Sequence, residues 1–342
     1  MNRSQRTLLA FAAVALAAAP VLAFEALPDT PPVPANNPIT DEKVELGKML
    51  YMDPRLSSSG TVSCNSCHNV MAGGDDSRPN SVGVGGQTGG RGAPTVYNAA
   101  FLSVQFWDGR APSLEEQAKG PITNPIEMGM ASHDLAVERL RKVPGYHELF
   151  EAAFGDPAID IDRVAKAIAT YERTLITPNG PFDRYLGGDT DAISAEAIAG
   201  SKTFESVGCP ACHMGPAFAG PTLPEGTGFF QKFPTYRDND YVQKYDLEAD
   251  TGRHDATGDE SHKHMWRVPT LRNVALTAPY FHNGKVKTLD EAVRVMAKTQ
   301  LNKDLTDQQV SELVAFLESL TGEFPEQTMP RLPSLVGASL NE

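Results

Sequence analysis

The four cysteines of the chain fall into two copies of one pattern: CNSCH, from Cys64 to His68, and CPACH, from Cys209 to His213, with none left over. Three chemistries use such spacing. A redox dithiol needs only C-x-x-C, and the histidine behind it is then incidental. A zinc site needs four ligands gathered in one place, and the two clusters lie far apart in the chain. Covalent haem attachment uses every residue of the pattern: two thiols join the vinyl groups of one macrocycle, and the next residue turns an imidazole under the iron. The repeated histidine favours two covalently bound haem c groups, held by Cys64, Cys67 and His68 and by Cys209, Cys212 and His213.

The N-terminus speaks to compartment. Arg3 and Arg6 precede an apolar run, LLAFAAVALAAAPVL, and a small residue, Ala23, opens a polar, proline-rich stretch. That is the pattern of a secretory signal over 1–23; a membrane anchor is the competing reading, against which the run is short and interrupted by Pro20. An exported protein of periplasmic type follows. Thiols in an oxidising compartment ordinarily pair as disulfides, which the C-x-x-C-H spacing opposes. Losing Arg3 and Arg6 deepens a net charge of −13 by two units, so the chain has no electrostatic footprint for nucleic acid. A length of about 320 residues after processing suggests two domains.

Helical patterns precede both cysteine motifs, DEKVELGKMLYMD at 41–53 and SAEAIAGSKTFESVG at 194–208. DIDRVAKAIATYERTL sets Ile161, Val164, Ile168, Tyr171 and Leu175 on one stripe. TLDEAVRVMAKTQ and TDQQVSELVAFLESLTG open on capping-box pairs, Thr288 with Glu291 and Thr306 with Gln309, and HDLAVERLRKV is a weaker helix. Strand signals are sparse. The glycine-heavy loop 69–95 lacks the lysine and hydroxyl of a phosphate loop and is expected to lie over the first haem. Pro and Gly cluster at 177–188, a natural domain break. The fold class expected is mainly α: two cytochrome-c-like helical domains with long irregular loops.

CNSCHN, FWDGR at 106–110, EQAKGPITNPIEM at 116–128, CPACH and VPTLRNVALTAPYFHNG at 268–284 occur in that order. Together they resemble the bacterial di-haem cytochrome c peroxidases over roughly 40 to 322. The resemblance implies a peroxidatic domain over 24–180, rejoined by a C-terminal segment from about 305 to 342, and an electron-transfer domain over 181–304. It implies reduction of hydrogen peroxide with electrons from a small soluble cytochrome c or a cupredoxin, and frequent homodimers. By position, the first haem reacts with peroxide and the second, higher in potential, takes up electrons, with Met296 as its second axial ligand. Glu127 matches the distal glutamate, Gln117 its polar neighbour, and Trp107 the tryptophan between the haems. Read alone, Met296 is a core residue on an apolar helix face, Glu127 one loop carboxylate among many, and Trp107 an aromatic anchor beside Phe106. His282 is shared with the family, and its role stays open.

Two positions depart from the family. Where many members carry a flap histidine that closes the resting first haem, this chain has Val84, and valine cannot ligate iron; the first haem is therefore expected to be open when oxidised. The family also binds a calcium ion between the domains through an asparagine and backbone carbonyls. Here Gly92 replaces the asparagine, while Thr277 and Pro279 remain to offer carbonyls. Two other readings stand beside the peroxidase. One is a relative that matures tryptophan tryptophylquinone on a partner protein, which uses tyrosine where Met296 stands. The other is a plain di-haem electron carrier, which has no use for Gln117 and Glu127 over an iron.

Overall fold

The computed structural model describes residues 24–335. The signal expected over 1–23 and the last residues of the C-terminal segment, 336–342, lie outside the described residues. Helices carry nearly all of the regular structure. The first half holds α1 (Asp41–Met52), the short α2 (Cys64–Cys67), α3 (Leu114–Thr123), α4 (His133–Arg141), α5 (Pro144–Phe154) and α6 (Ile161–Glu172). The second holds α7 (Pro181–Leu186), α8 (Ala195–Val207), α9 (Asp240–Lys244), α10 (His254–Thr257), α11 (Leu289–Leu301) and α12 (Asp307–Glu318). Two three-residue strands, β1 (Phe230–Lys232) and β2 (Met265–Arg267), pair antiparallel with Phe230 opposite Arg267.

One helix crossing is used twice. α1 meets α6 at Gly47, where an added Cβ would stand 1.9 Å from the Ala167 carbonyl oxygen. α8 meets α12 at Gly200, where it would stand 1.9 Å from the Glu312 carbonyl oxygen. Only glycine lets backbones approach so closely. Around the first crossing Leu46, Leu50, Tyr51, Ile168 and Tyr171 form a buried core, and around the second Phe204, Phe316, Leu317 and Phe182 form another. The predicted stripe on α6 is therefore the core face, with Val164, Ile168, Tyr171 and Leu175 buried.

This repeated crossing corrects one expectation. The segment from about 305 does not rejoin the first domain as a helix: α12 is to the second core what α6 is to the first. The chain crosses back only after α12, where Phe324 packs edge-on against Tyr97 (4.6 Å), Gln327 accepts from Tyr171 Oη (2.8 Å) and the Pro333 carbonyl accepts from Arg55 (2.8 Å). Of the two capping boxes, Thr306 with Gln309 forms. Thr288 with Glu291 does not, because Tyr245 (2.5 Å) and Lys244 (2.8 Å) take the Glu291 carboxylate instead.

The halves join at Thr177, inside the expected break. Its hydroxyl accepts from Asn98 Nδ2 (2.8 Å) and Asn273 Nδ2 (2.9 Å), one asparagine from each half. Both asparagines are left-handed, at φ 64° and 61°, a conformation that asparagine tolerates better than most residues.

Candidate active site

Each C-x-x-C-H motif opens into its own cavity. The first is walled by Cys64, Cys67 and His68, by the loop through Ser81, Gly83 and Gly89–Thr95, by Gln117 of α3, by Glu127, and by Ile168 and Glu172 of α6. The second is walled by Cys209, Cys212, His213, Met296 of α11, Arg267, Trp266 and His282. Four cysteines in two cavities cannot form one zinc cage, and all four are unpaired thiols. Burial pushes the thiols up, Cys209 to about 12. A reactive dithiol requires the opposite shift. Of the readings open at the motif, covalent attachment is the one these walls fit.

The two histidines are prepared alike. His68 Nδ1 lies 2.9 Å from the Pro94 carbonyl oxygen, and His213 Nδ1 lies 2.9 Å from that of Phe218, with the Pro269 carbonyl also acting on it. A carbonyl only accepts, so each Nδ1 carries the proton and each Nε2 keeps its lone pair for a metal. Burial lowers the pKa of both rings, which favours the neutral form that binds iron.

Glu127 and Gln117 reach the first cavity from different elements. Gln117 stands on α3, whose N-cap is Ser113. Glu127 sits in the turn after α3, closed by its own N–H to the Asn124 carbonyl (3.0 Å), and its carbonyl accepts from Val84 N (2.8 Å). Burial raises the Glu127 carboxyl above its usual range, opposed by the Arg110 charge and the Asn124 side chain. Val84 does not wall the cavity. Its side chain is buried in the first core, against Gly129. Among the described residues lining this cavity His68 is the one imidazole, and Met128, a member of the first core, lines it too.

Trp107 borders both cavities, as do Gly92 to Thr95. Its indole Nε1 donates to the Gly92 carbonyl (2.9 Å). Met296 and His213 wall one cavity. Gly92, Thr277 and Pro279 also line this second cavity, together with Asp75. Asp75 is buried, and its Oδ1 has no hydrogen-bond partner. Both that oxygen and the Leu276 carbonyl crowd Gly73, at 3.1 and 2.8 Å from an added Cβ.

Sequence reasoning missed Glu172, Arg267 and Asp75, and left His282 open. Glu172 was detectable: it stands four residues after Ile168, on the buried stripe of α6, where a carboxylate has no ordinary business. His282 was detectable through a repeat. Pro94, Thr95, Asn98, Phe106 and Gly109 recur as Pro269, Thr270, Asn273, Phe281 and Gly284, each 175 positions on. Trp107 and His282 are equivalent in that repeat.

Comparison with known proteins finds di-haem peroxidases. The family described as di-haem cytochrome c peroxidase matches residues 41–191. The cytochrome c551 peroxidase of Nitrosomonas europaea is 43% identical over 302 residues, covering 88% of this chain and 86% of that protein. The cytochrome c551 peroxidase of Pseudomonas aeruginosa is 44% identical over 318 residues, covering 91% and 88%. A crystal structure of a MauG-like protein associated with microbial copper homeostasis superposes with a TM-score of 0.75 at 30% identity, covering 87% of this chain and 95% of that one.

Proposed function

Since the chain belongs to the di-haem cytochrome c peroxidase family, we propose that it reduces hydrogen peroxide to two waters, taking two electrons from a small soluble cytochrome c or a cupredoxin and two protons from solvent. The observation that carries this reading is the meeting of Glu127 and Gln117 in the cavity of the first C-x-x-C-H motif, where no side chain other than His68 offers an imidazole among the described residues. When bound there, haem supplies an iron that can take a peroxide oxygen and pass electrons. The cysteines, the free Nε2 atoms and the cavity walls fit two such groups.

The protein's own residues manage the protons. Glu127, as carboxylate, accepts the proton of the oxygen nearer the metal. As carboxylic acid it returns that proton to the departing oxygen, which leaves as water. Burial raises its pKa, which suits a group that must both take and give a proton. Gln117 orients peroxide by hydrogen bonding, and Trp107 spans the wall between the cavities as the electron path. Val84 faces the core and cannot ligate, so a haem held by Cys64, Cys67 and His68 would have room for peroxide without prior reduction. Met296 and His213 complete the second site.

Calcium belongs to the same proposal. Thr277 and Pro279 offer carbonyls, and the unpartnered Asp75 oxygen supplies a hard ligand where Gly92 has none. Export to the periplasm, on the signal pattern read over 1–23, is part of the same proposal; no helix of the described residues is long and apolar enough to cross a membrane. The rival reading, oxidative modification of a partner protein, is disfavoured by a methionine at position 296 in place of tyrosine. Steady-state turnover of peroxide with a reduced small cytochrome as donor tests the proposal. Rapid donor oxidation supports it, and two intact haems with no peroxide turnover would refute it.

A further inference from the structure

Buried guanidinium groups in this molecule come with carboxylates. Arg272 has Asp183 at 2.7 Å, Arg173 has Glu115 at 2.7 Å and Arg55 has Asp53 at 2.6 Å. Arg267 is the exception. It is 5% exposed and stands on β2 at the wall of the second cavity. Its hydrogen-bond partners are the carbonyls of Phe106 (3.0 Å, from Nε) and Val268 (3.2 Å, from Nη1), and among the described residues no carboxylate pairs with it. Asp108, the one acid whose charge it feels, is engaged by Arg91 and Arg110.

A buried charge without a counter-ion is strongly unfavourable. A fold keeps one when something else supplies the opposite charge. A second observation marks the same cavity. His282 is 3% exposed, stacks on Trp266 at 4.1 Å between ring centroids, and its Nε2 is buried with no partner. A guanidinium without a carboxylate and an imidazole nitrogen without a partner thus line one cavity, the cavity that also holds Cys209, Cys212, His213 and Met296. The group that enters it by the covalent-haem reading carries two carboxylates on its macrocycle.

We propose that Arg267 receives a carboxylate of the second haem, and that the Arg267 charge sets that haem's reduction equilibrium. This inference rests on the reading that haem is bound covalently in this cavity. A guanidinium lining the cavity that would hold the haem would stabilise an added electron there. A carboxylate held against it stays ionised and buried, so Arg267 is a positioning residue as well as an electrostatic one. The place suits the role: Arg267 N donates to the Trp107 carbonyl at 2.9 Å, so the charge sits at the junction of the two cavities.

The test is a spectroelectrochemical titration of both haems in wild type, Arg267→Gln and Arg267→Lys, with haem content of each preparation read by mass spectrometry. In Arg267→Gln the second haem should become harder to reduce by about tenfold in its equilibrium constant, ~59 mV for a one-electron couple. Arg267→Lys keeps the charge and should stay within about threefold of wild type. Two haems present with no shift in Arg267→Gln, or an equal shift in Arg267→Lys, overturns the inference and leaves the peroxidase reading intact; absence of covalent haem overturns both. Should Arg267→Gln not fold, a crystal structure of the haem-loaded wild type decides. A haem carboxylate within hydrogen-bond distance of Arg267 supports the inference, and carboxylates turned away from it refute it.

Discussion

Trp107 and His282 hold equivalent places in the two halves, and the halves grip each other through their backbones. Arg267 N donates to the Trp107 carbonyl (2.9 Å), and Gly92 N donates to the His282 carbonyl (2.8 Å). Gly92 and Arg267 are themselves 175 positions apart, so the two bonds are copies of one contact in a pseudo-symmetric pair. The symmetry breaks in the side chains. Trp107 borders both cavities, while His282 lines only the second.

Replacing Trp107 by Phe therefore tests the electron path without touching either cysteine motif. Both haems should remain, and donor-driven peroxide turnover should fall by on the order of tenfold. Stopped-flow oxidation of the reduced second haem by peroxide measures the step. An unchanged rate would place the path elsewhere.

Glu127→Gln removes the proton carrier and keeps the shape. The value of kcat/KM for peroxide should fall by about 10²- to 10⁴-fold, with haem content and optical spectrum preserved. In the wild type, Glu127 must be ionised to accept the first proton. Activity should therefore decline as pH drops through its pKa, and because burial raises that pKa the acid limb should lie above the ordinary carboxylate range. A pH–rate profile flat down to pH ~4 would contradict this.

Glu172 has a different pH signature. It is buried at the first cavity with Oε2 unpartnered, and burial pushes its pKa up to about 8. A carboxyl whose pKa is higher folded than unfolded adds stability below its unfolded value and loses it as pH rises through the folded value. Glu172→Gln should thus be more stable than wild type at pH 8–9, with the difference vanishing near pH 4, measured by thermal unfolding across that range. Equal gains at both ends would mean a packing effect.

Thr177→Val should loosen the junction of the halves. The hydroxyl accepts from two buried asparagine amides, and valine would leave both donors unmatched. A loss of about 1–3 kcal/mol is expected, read as a fall in Tm with the haem spectra unchanged.

The sequence made the helices and the two attachment motifs legible because their signals are local. The stripe from Val164 to Leu175 and the order of residues in C-x-x-C-H need no tertiary information. The return of the chain was misjudged because Gly200 against Glu312 is a long-range fit, visible only once the crossing at Gly47 shows its twin. Glu291 formed no capping box because Tyr245 and Lys244, distant in sequence, compete for it. Arg267 was hidden for a subtler reason. An arginine is unremarkable until its burial and its lack of a carboxylate are seen together.

The central claim is an open first iron beside Glu127, fed by a second iron closed by His213 and Met296. Electron paramagnetic resonance of the fully oxidised protein, with and without a small exogenous ligand such as cyanide, tests it most directly. The account predicts one low-spin histidine–methionine haem that ignores cyanide and a first haem whose signal changes on adding it. A first haem that is wholly low-spin with two histidine ligands, and unmoved by cyanide, would contradict it.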